Sequence, residues 1–259
     1  MKILFIGDIV GKPGREAVGG LLPVLKKEYS VDFVIANAEN AAGGSGVTPA
    51  IMQELLSYGI DVLTSGDHIW KKRDIIPVLD QESRLLRPLN YPPGSPGKGA
   101  ELFDSGKGIK IGVVNVNGCV FMEALDCPFR TSRAEVDRLS KETKIIIVDI
   151  HAEATSEKIA LGWYLDGLVS LVVGTHTHIQ TADEQILPKG TAYITDAGMC
   201  GPFYSVIGRK IEDVLLRFIT KIPTRFEVAT DNIQLQGVVV DIDADTGKAS
   251  SILRIQRKL

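Results

Sequence analysis

Short apolar runs rich in β-branched residues alternate with helix-like segments through the first two thirds of the chain. Six such runs predict strands, at residues 2–6, 32–36, 61–64, 109–116, 144–150 and 168–173. Helical spacing predicts helices ending near Glu28, starting at Pro49 behind the N-cap Thr48, and covering residues 72–79 and 156–165. Strands that are apolar throughout are typical of a sheet covered on both faces, so the pattern predicts an α/β fold.

Two later parts of the chain depart from this alternation. Residues 89–99 are rich in proline and glycine and predict a loop, interpreted as a flap inserted between strands. After Thr191 the pattern predicts mainly strands, and residues 233–242 and 250–255 alternate on either side of a turn, which predicts a closing β-hairpin. No linker or repeat interrupts residues 1–259, so a single domain is expected, built on a mixed sheet or a two-sheet sandwich.

Composition narrows the class of protein. The chain has 29 Lys and Arg against 32 Asp and Glu, a net charge of −3, which gives no extended nucleic-acid surface. Its apolar runs are far shorter than the roughly 20 residues of a membrane span. The first residues predict a strand, and the three cysteines form no disulfide framework, so the cytosol is the expected location.

All four histidines follow predicted strands. They are His68, His151, His176 and His178, and the acids Asp8, Glu39 and Asp67 are placed in the same way. Because ligands bind at the carboxyl ends of strands in α/β sheets, five strands are expected to bring these side chains to one edge. Any one of them alone is more simply explained as a cap or loop residue, but together they indicate a site.

Imidazoles and carboxylates are ligands for zinc, iron and manganese. In an extended chain His176 and His178 would point to one side, whereas in an irregular loop they could serve two neighbouring ions. With Asp8, Glu39, Asn40 and Asp67 there are enough ligands for two ions that share a carboxylate. Two metals about 3.5–4 Å apart stabilise the attacking and leaving oxygens of an in-line displacement at phosphorus.

These motifs resemble the calcineurin-like metallophosphoesterase superfamily, and within it the YmdB-like phosphodiesterases of bacteria. The block Asn-Ala-Glu-Asn-Ala-Ala-Gly-Gly is the most specific of them. The resemblance extends over nearly the whole chain and is carried by residues 7–11, 37–44, 66–70, 174–178 and 196–202.

The resemblance implies a four-layer α/β/β/α sandwich with a di-metal centre of iron or manganese at the C-terminal ends of the strands. One ion would be held by Asp8, Glu39, Asn40 and His178, and Glu39 would bridge to a second ion held by Asp67, His151 and His176. It further implies hydrolysis of small phosphodiesters, with 2',3'-cyclic nucleotides as the substrate type. A metal-bridging hydroxide would attack, and His68 would protonate the leaving oxygen.

Two positions depart from the superfamily pattern. Val10 stands where the superfamily has histidine, an absence that the YmdB-like branch shares and that Asn40 compensates for. Asp67 stands where the branch usually has asparagine. The additional negative charge is expected to reduce Lewis acidity at the second metal and to raise the pKa of the bridging water.

The ligand residues leave other functions open. A phosphomonoesterase or protein phosphatase could use the same centre, and Asp67 also fits a regulatory metal- or nucleotide-binding protein with little turnover. Substrate-binding residues are not identified: the candidates also fit solvated helix faces or packing, and they are Lys12, Arg15, Trp70, Lys71, Lys72, Arg73, Phe203 and Tyr204. Self-association through a sheet edge or the hairpin also stays open.

Overall fold

A computed structural model of the chain describes residues 1–259, which form two β-sheets and five α-helices. The strands are β1 (Lys2–Ile6), β2 (Asp8–Ile9), β3 (Phe33–Asn37), β4 (Val62–Thr64), β5 (Ala100–Asp104), β6 (Lys110–Asn117), β7 (Ile145–His151), β8 (Leu171–Thr175), β9 (Gln185–Ile186), β10 (Ala192–Ile194), β11 (Met199–Pro202), β12 (Ile233–Ile242) and β13 (Ala249–Lys258). The helices are α1 (Gly11–Tyr29), α2 (Pro49–Ser57), α3 (Pro128–Leu139), α4 (Thr155–Leu165) and α5 (Ile211–Thr220).

The first sheet has seven strands in the order β2-β11-β12-β1-β3-β4, with β13 paired to β12. One side of this sheet is parallel, because β1 pairs with β3 and β3 with β4 in the same direction, whereas β12 is antiparallel to β1 and β11. The predicted hairpin is present as the antiparallel pair β12 and β13. The N-terminal strand therefore lies inside the sheet, between β12 and β3.

The second sheet has six strands in the order β5-β6-β7-β8-β10-β9. Strands β6, β7, β8 and β10 are parallel, and the edge strands β5 and β9 are antiparallel to their neighbours. The prediction of a mixed α/β fold is confirmed. The sequence left a single mixed sheet open, and the structure has two sheets instead.

Three hydrophobic clusters hold the elements together. One joins α1 and α2 to the seven-stranded sheet, and another joins α3 and α4 to the six-stranded sheet. The remaining cluster draws on both sheets, with Phe5 and Ile35 from the first and Ile147 and Val173 from the second. The central strands are thus buried on two faces, which explains why they are apolar at nearly every position.

Four segments differ from the sequence-based expectation. Residues 72–79 form no α-helix: the chain makes two short 3₁₀ helices, Asp67–Lys71 and Arg73–Val78, because Pro77 lacks the N–H that an α-helix needs. Strand β5 and helix α3 were not predicted. Helix α5 lies where only strands were expected, although its apolar side chains recur at helical spacing. No helix is long and apolar enough to cross a membrane.

Candidate metal centre

Four of the predicted ligands meet in one cluster that draws on both sheets. Ligand atoms of Glu39, Asp67, His151 and His176 all lie within 4.8 Å of one another. Glu39 follows β3 and Asp67 follows β4 in the seven-stranded sheet, whereas His151 ends β7 and His176 follows β8 in the other sheet. These four parallel strands thus deliver polar side chains from their carboxyl ends to a common place, as the sequence predicted.

The other three predicted ligands lie against the same cluster. His178 Nε2 is 3.7 Å from Asp8 Oδ1 and 3.2 Å from Asn40 Nδ2. Asn40 Nδ2 in turn lies 2.8 Å from Glu39 Oε1, while Glu39 Oε2 lies 3.1 Å from His151 Nε2. Glu39 therefore stands between the two groups, with one carboxylate oxygen toward each.

The cluster has the features that a cation site requires. Asp8 Oδ1 and Asp67 Oδ1 are buried and have no hydrogen-bond partner, which costs roughly 1–3 kcal/mol each unless another group compensates. At Gly66 a Cβ would lie 2.2 Å from Glu39 Oε2 and from His151 Nε2, so only glycine leaves the centre of the cluster free. Imidazole and carboxylate donors suit first-row transition metals, and these residues therefore fit a pair of such ions.

Protonation compensates part of the negative charge in the metal-free cluster. Burial raises the pKa of Asp8 to about 6, against the attraction of His178 and His151. Burial also opposes ionisation of Glu39, but His151 and His68 outweigh it and hold the pKa of Glu39 well below its usual range. Burial would lower the pKa of His151, yet Glu39 and Asp67 raise it well above the usual value. A cation entering here competes with the proton on His151.

The two histidines of the sequence His-Thr-His lie in an irregular loop. Both have positive φ, 96° for His176 and 65° for His178, a conformation that non-glycine residues rarely adopt. Because of this bend His176 joins the first group and His178 the second, so the extended alternative is wrong. Burial and the charge on His151 lower the pKa of His176 to about 4, so its imidazole is neutral and able to bind a cation.

A buried ion pair fixes this loop. Asp196 Oδ2 accepts hydrogen bonds from Thr177 N at 3.1 Å and Thr177 Oγ1 at 2.7 Å. Lys158 Nζ donates to the same oxygen at 2.8 Å. Sequence reasoning missed Lys158, although it shares the spacing of Leu161 and Leu165 on the buried face of α4, where a lysine is unusual.

His68 lies beside the cluster rather than inside it. Its Nδ1 is 2.9 Å from Asn40 Oδ1 and 3.4 Å from Glu39 Oε1, and its side chain is 29% exposed. As placed, Asn40 turns Oδ1 toward His68 and Nδ2 toward Glu39 and His178. To act as a ligand on the side of His178, the amide of Asn40 has to be turned by half a revolution, which exchanges its oxygen and nitrogen.

A cavity of about 330 Å³ opens next to the cluster and is lined in part by Glu39, His68 and His176. Glu153, which the sequence analysis missed, also lines it, with Oε2 3.1 Å from His176 Nε2. The sequence could have indicated Glu153 as a site residue, because it lies two positions after His151 at the end of β7. The lining also includes Arg209, another residue that was not singled out.

None of the suggested substrate-binding residues lines this cavity. Lys12 pairs with Glu16 on the exposed face of α1, and Arg15 pairs with Glu54. Trp70 packs against Tyr91 with ring centroids 5.3 Å apart. The proline-rich segment does not line the cavity either, and the Arg87 side chain donates hydrogen bonds to carbonyl groups of that segment.

Comparisons with known proteins identify the family. The family model described as YmdB-like protein matches residues 4–255. The chain belongs to the YmdB-like family. It is 49% identical to the 2',3'-cyclic-nucleotide 2'-phosphodiesterase of Bacillus subtilis strain 168, over 98% of this chain and 96% of that protein. The resemblance inferred from the motifs is therefore confirmed.

Two solved structures are similar over the whole chain. A hypothetical protein from Thermus thermophilus superposes with a TM-score of 0.91 at 42% identity, covering 100% of this chain and 99% of that one. A novel phosphatase from Mycoplasma pneumoniae gives a TM-score of 0.94 at 37% identity, covering 100% of this chain and 93% of that one.

Proposed function

We propose that this member of the YmdB-like family is a metal-dependent phosphodiesterase that hydrolyses 2',3'-cyclic nucleotides. The broader prediction, a phosphoric ester hydrolase, is confirmed by its phosphodiesterase and phosphatase relatives. The narrower proposal rests on the buried cluster. In it two carboxylate oxygens have no hydrogen-bond partner, and neutral and charged imidazoles lie next to them. A cluster of this composition binds cations and faces a cavity large enough for a nucleotide.

The proposed ligand sets follow the two groups of side chains. One ion would be held by Asp8, Asn40 and His178, the other by Asp67, His151 and His176, with Glu39 shared between them. We propose iron or manganese as the metals. The same proposal places the site at the C-terminal ends of the strands of one domain, layered helix, sheet, sheet and helix.

Bound ions would supply Lewis acidity toward the phosphate and a nucleophilic water near neutral pH. Side chains of the protein would supply the proton and hold the ligands in position. With the Asn40 amide turned to bind the ion, His68 Nδ1 keeps its contact with Glu39 Oε1, 3.4 Å away, which would orient the ring and leave Nε2 to donate a proton to the leaving 2' oxygen. Glu153 orients His176 through its Nε2. Neither serine nor cysteine is needed as a nucleophile.

A second function is supported by one residue. Asp67 adds a negative charge to the cluster, and its Oδ1 lacks a hydrogen-bond partner. This charge would favour tight metal binding over Lewis acidity, as in a regulatory protein with little turnover. Tight binding of a cyclic nucleotide without hydrolysis, across several metals, would favour this second function.

The test is hydrolysis of 2',3'-cyclic AMP by purified protein, first stripped of metal and then reloaded with manganese or iron(II). We expect turnover only after reloading, with a 3'-monophosphate as product. Asp8→Asn should abolish this turnover, whereas Asp245→Asn, in an exposed hairpin turn, should not change it. Equal turnover without metal, or none with two ions bound per chain, would refute the proposal.

A further inference from the structure

The cavity beside the cluster has two chemically different halves. One half includes His68 and four of the predicted ligands, Glu39, Asn40, His176 and His178, and the phosphate of a substrate would lie there. The other half is apolar and is formed by Val206, Ile207, Val214, Phe218 and Phe226. A cyclic phosphate alone does not need a cavity of about 330 Å³, so the apolar half has room for another part of the substrate.

Large apolar side chains are exposed at the mouth of this half. Phe218 is 63% exposed and Ile207 is 46% exposed. Exposed apolar surface grouped at a cavity marks a ligand contact more often than scattered apolar residues do. The Phe226 ring is held in place by Arg217, whose guanidinium carbon lies 5.3 Å from the ring centroid.

The apolar wall is tied to the metal-ligand cluster by hydrogen bonds. His178 Nδ1 lies 3.0 Å from the carbonyl oxygen of Ile207 and donates to it. The Arg209 guanidinium binds the carbonyl oxygens of Gly43 and Gly44, in the loop that follows Glu39, and also that of Phe226. The distance between the wall and the cluster is therefore fixed by the fold, before any ligand is present.

Arg209 has a second property that suits a nucleotide. All of its hydrogen bonds go to carbonyl oxygens, and it forms no ion pair with a carboxylate. Its positive charge is thus available to the cavity that it lines. An anionic ligand with a flat apolar group matches this combination of charge and wall.

We propose that Ile207, Phe218 and Phe226 form a subsite for the nucleobase of the substrate. The positive charge of Arg209 attracts the nucleotide anion to this subsite. This inference rests on the proposed function, because the cluster is what places the phosphate. The subsite recognises a base mainly by stacking, and stacking on aromatic side chains accepts every base. It should therefore distinguish a nucleotide from a base-free sugar phosphate while accepting all four bases.

The test compares two ligands that differ only in the base. Calorimetric titration of the manganese-loaded protein would measure binding of adenosine 3'-monophosphate and of ribose 3-phosphate. We expect the base-free ligand to bind roughly 5- to 150-fold more weakly. Phe218→Ala and Phe226→Ala should each bring the two affinities closer together. Ile219→Ala is the matched control, because Ile219 is 78% exposed on the same helix but does not line the cavity.

Equal affinity for the two ligands in the unaltered protein, including no measurable binding of either, overturns the subsite. The subsite is also overturned if neither Phe218→Ala nor Phe226→Ala changes the ratio of the two ligand affinities. A further contrary result is that Phe218→Ala changes the oligomeric mass and leaves this ratio as it was. The last result would place Phe218 in an interface between copies of the chain. Because Phe218 is largely exposed, its replacement should leave the fold intact.

Turnover separates this inference from the proposed function. We expect Phe226→Ala to raise KM for 2',3'-cyclic AMP by a larger factor than KM for ribose 2,3-cyclic phosphate. Base-dependent binding without any hydrolysis would refute the phosphodiesterase but retain the subsite. Equally efficient hydrolysis of both cyclic phosphates would retain the phosphodiesterase and refute the subsite.

Discussion

Lys158 and Asp196 form an ion pair of 2.8 Å between Nζ and Oδ2, with both side chains completely or almost completely buried. The same carboxylate holds the backbone and the hydroxyl of Thr177, between two predicted metal ligands. Positive φ at the non-glycine residues His176 and His178 costs of order 1–3 kcal/mol for each and needs such support. The ion pair therefore connects the core under α4 to the geometry of the cluster.

Lys158→Met should destabilise the protein by about 3–5 kcal/mol, because it leaves the charge of Asp196 buried without its partner. Urea unfolding of the variant and the unaltered protein would measure this loss. Lys12→Met is the matched control, since its exposed ion pair with Glu16 should contribute at most about 1 kcal/mol. Similar stabilities for both variants would show that Asp196 does not depend on Lys158.

Asp67→Asn removes one negative charge from the cluster. We expect manganese to bind at least about tenfold more weakly, because one attraction at close range is lost. We expect kcat for 2',3'-cyclic AMP to rise, because the remaining ligands withdraw less of the positive charge of the ion. Metal titration and steady-state kinetics would measure both. An unchanged metal affinity would place Asp67 outside the ligand set.

His68→Ala should keep both metals but lose roughly 10²- to 10⁴-fold in kcat for 2',3'-cyclic AMP, the usual contribution of a positioned general acid. A nitrophenyl phosphodiester provides the control, because its leaving group departs without protonation and should be hydrolysed at nearly the original rate. Equal losses on the two substrates would argue that His68 holds Asn40 and Glu39 in place and donates no proton.

Metal binding should release protons near pH 7. The pKa of His151 lies well above its usual value in the metal-free protein, chiefly through Glu39 and Asp67 acting against burial. His151 is therefore protonated at pH 7 and must lose that proton to become a ligand, so metal affinity should fall as the pH is lowered. Calorimetric titration with manganese in two buffers of different ionisation enthalpy would count the protons. A heat independent of the buffer would contradict this prediction.

Much of the cluster could be predicted because most of the predicted ligands lie at or just after the end of an apolar strand that is easily recognised. Asp8, Glu39, Asp67, His151 and His176 are such cases, and strand ends that share an edge meet without further information. The division of the predicted ligands into two groups is harder to predict from the sequence, because it depends on the positive φ of His176 and His178. That conformation is imposed by contacts with distant parts of the chain.

The residues that were missed are defined by long-range contacts. Arg209 binds the loop at Gly44, 165 positions earlier in the chain, and no local pattern reports such a contact. Strand β12 enters the first sheet between β1 and β11, a long-range pairing that no local pattern reports. Helix α5 lies in the part of the chain where the pattern predicts mainly strands, although its own apolar residues recur at helical spacing.

The division of the ligands between the sheets has a mechanical consequence. Glu39 and Asp67 belong to one sheet and His151 and His176 to the other, and a cluster of apolar side chains also joins the two sheets. An ion bound by all four would act as a cross-link between two halves of the molecule. At an ion concentration about a thousandfold above Kd, such binding adds about 4 kcal/mol to the free energy of unfolding. The resistance of the whole protein to heat would then report on the metal content of its surroundings.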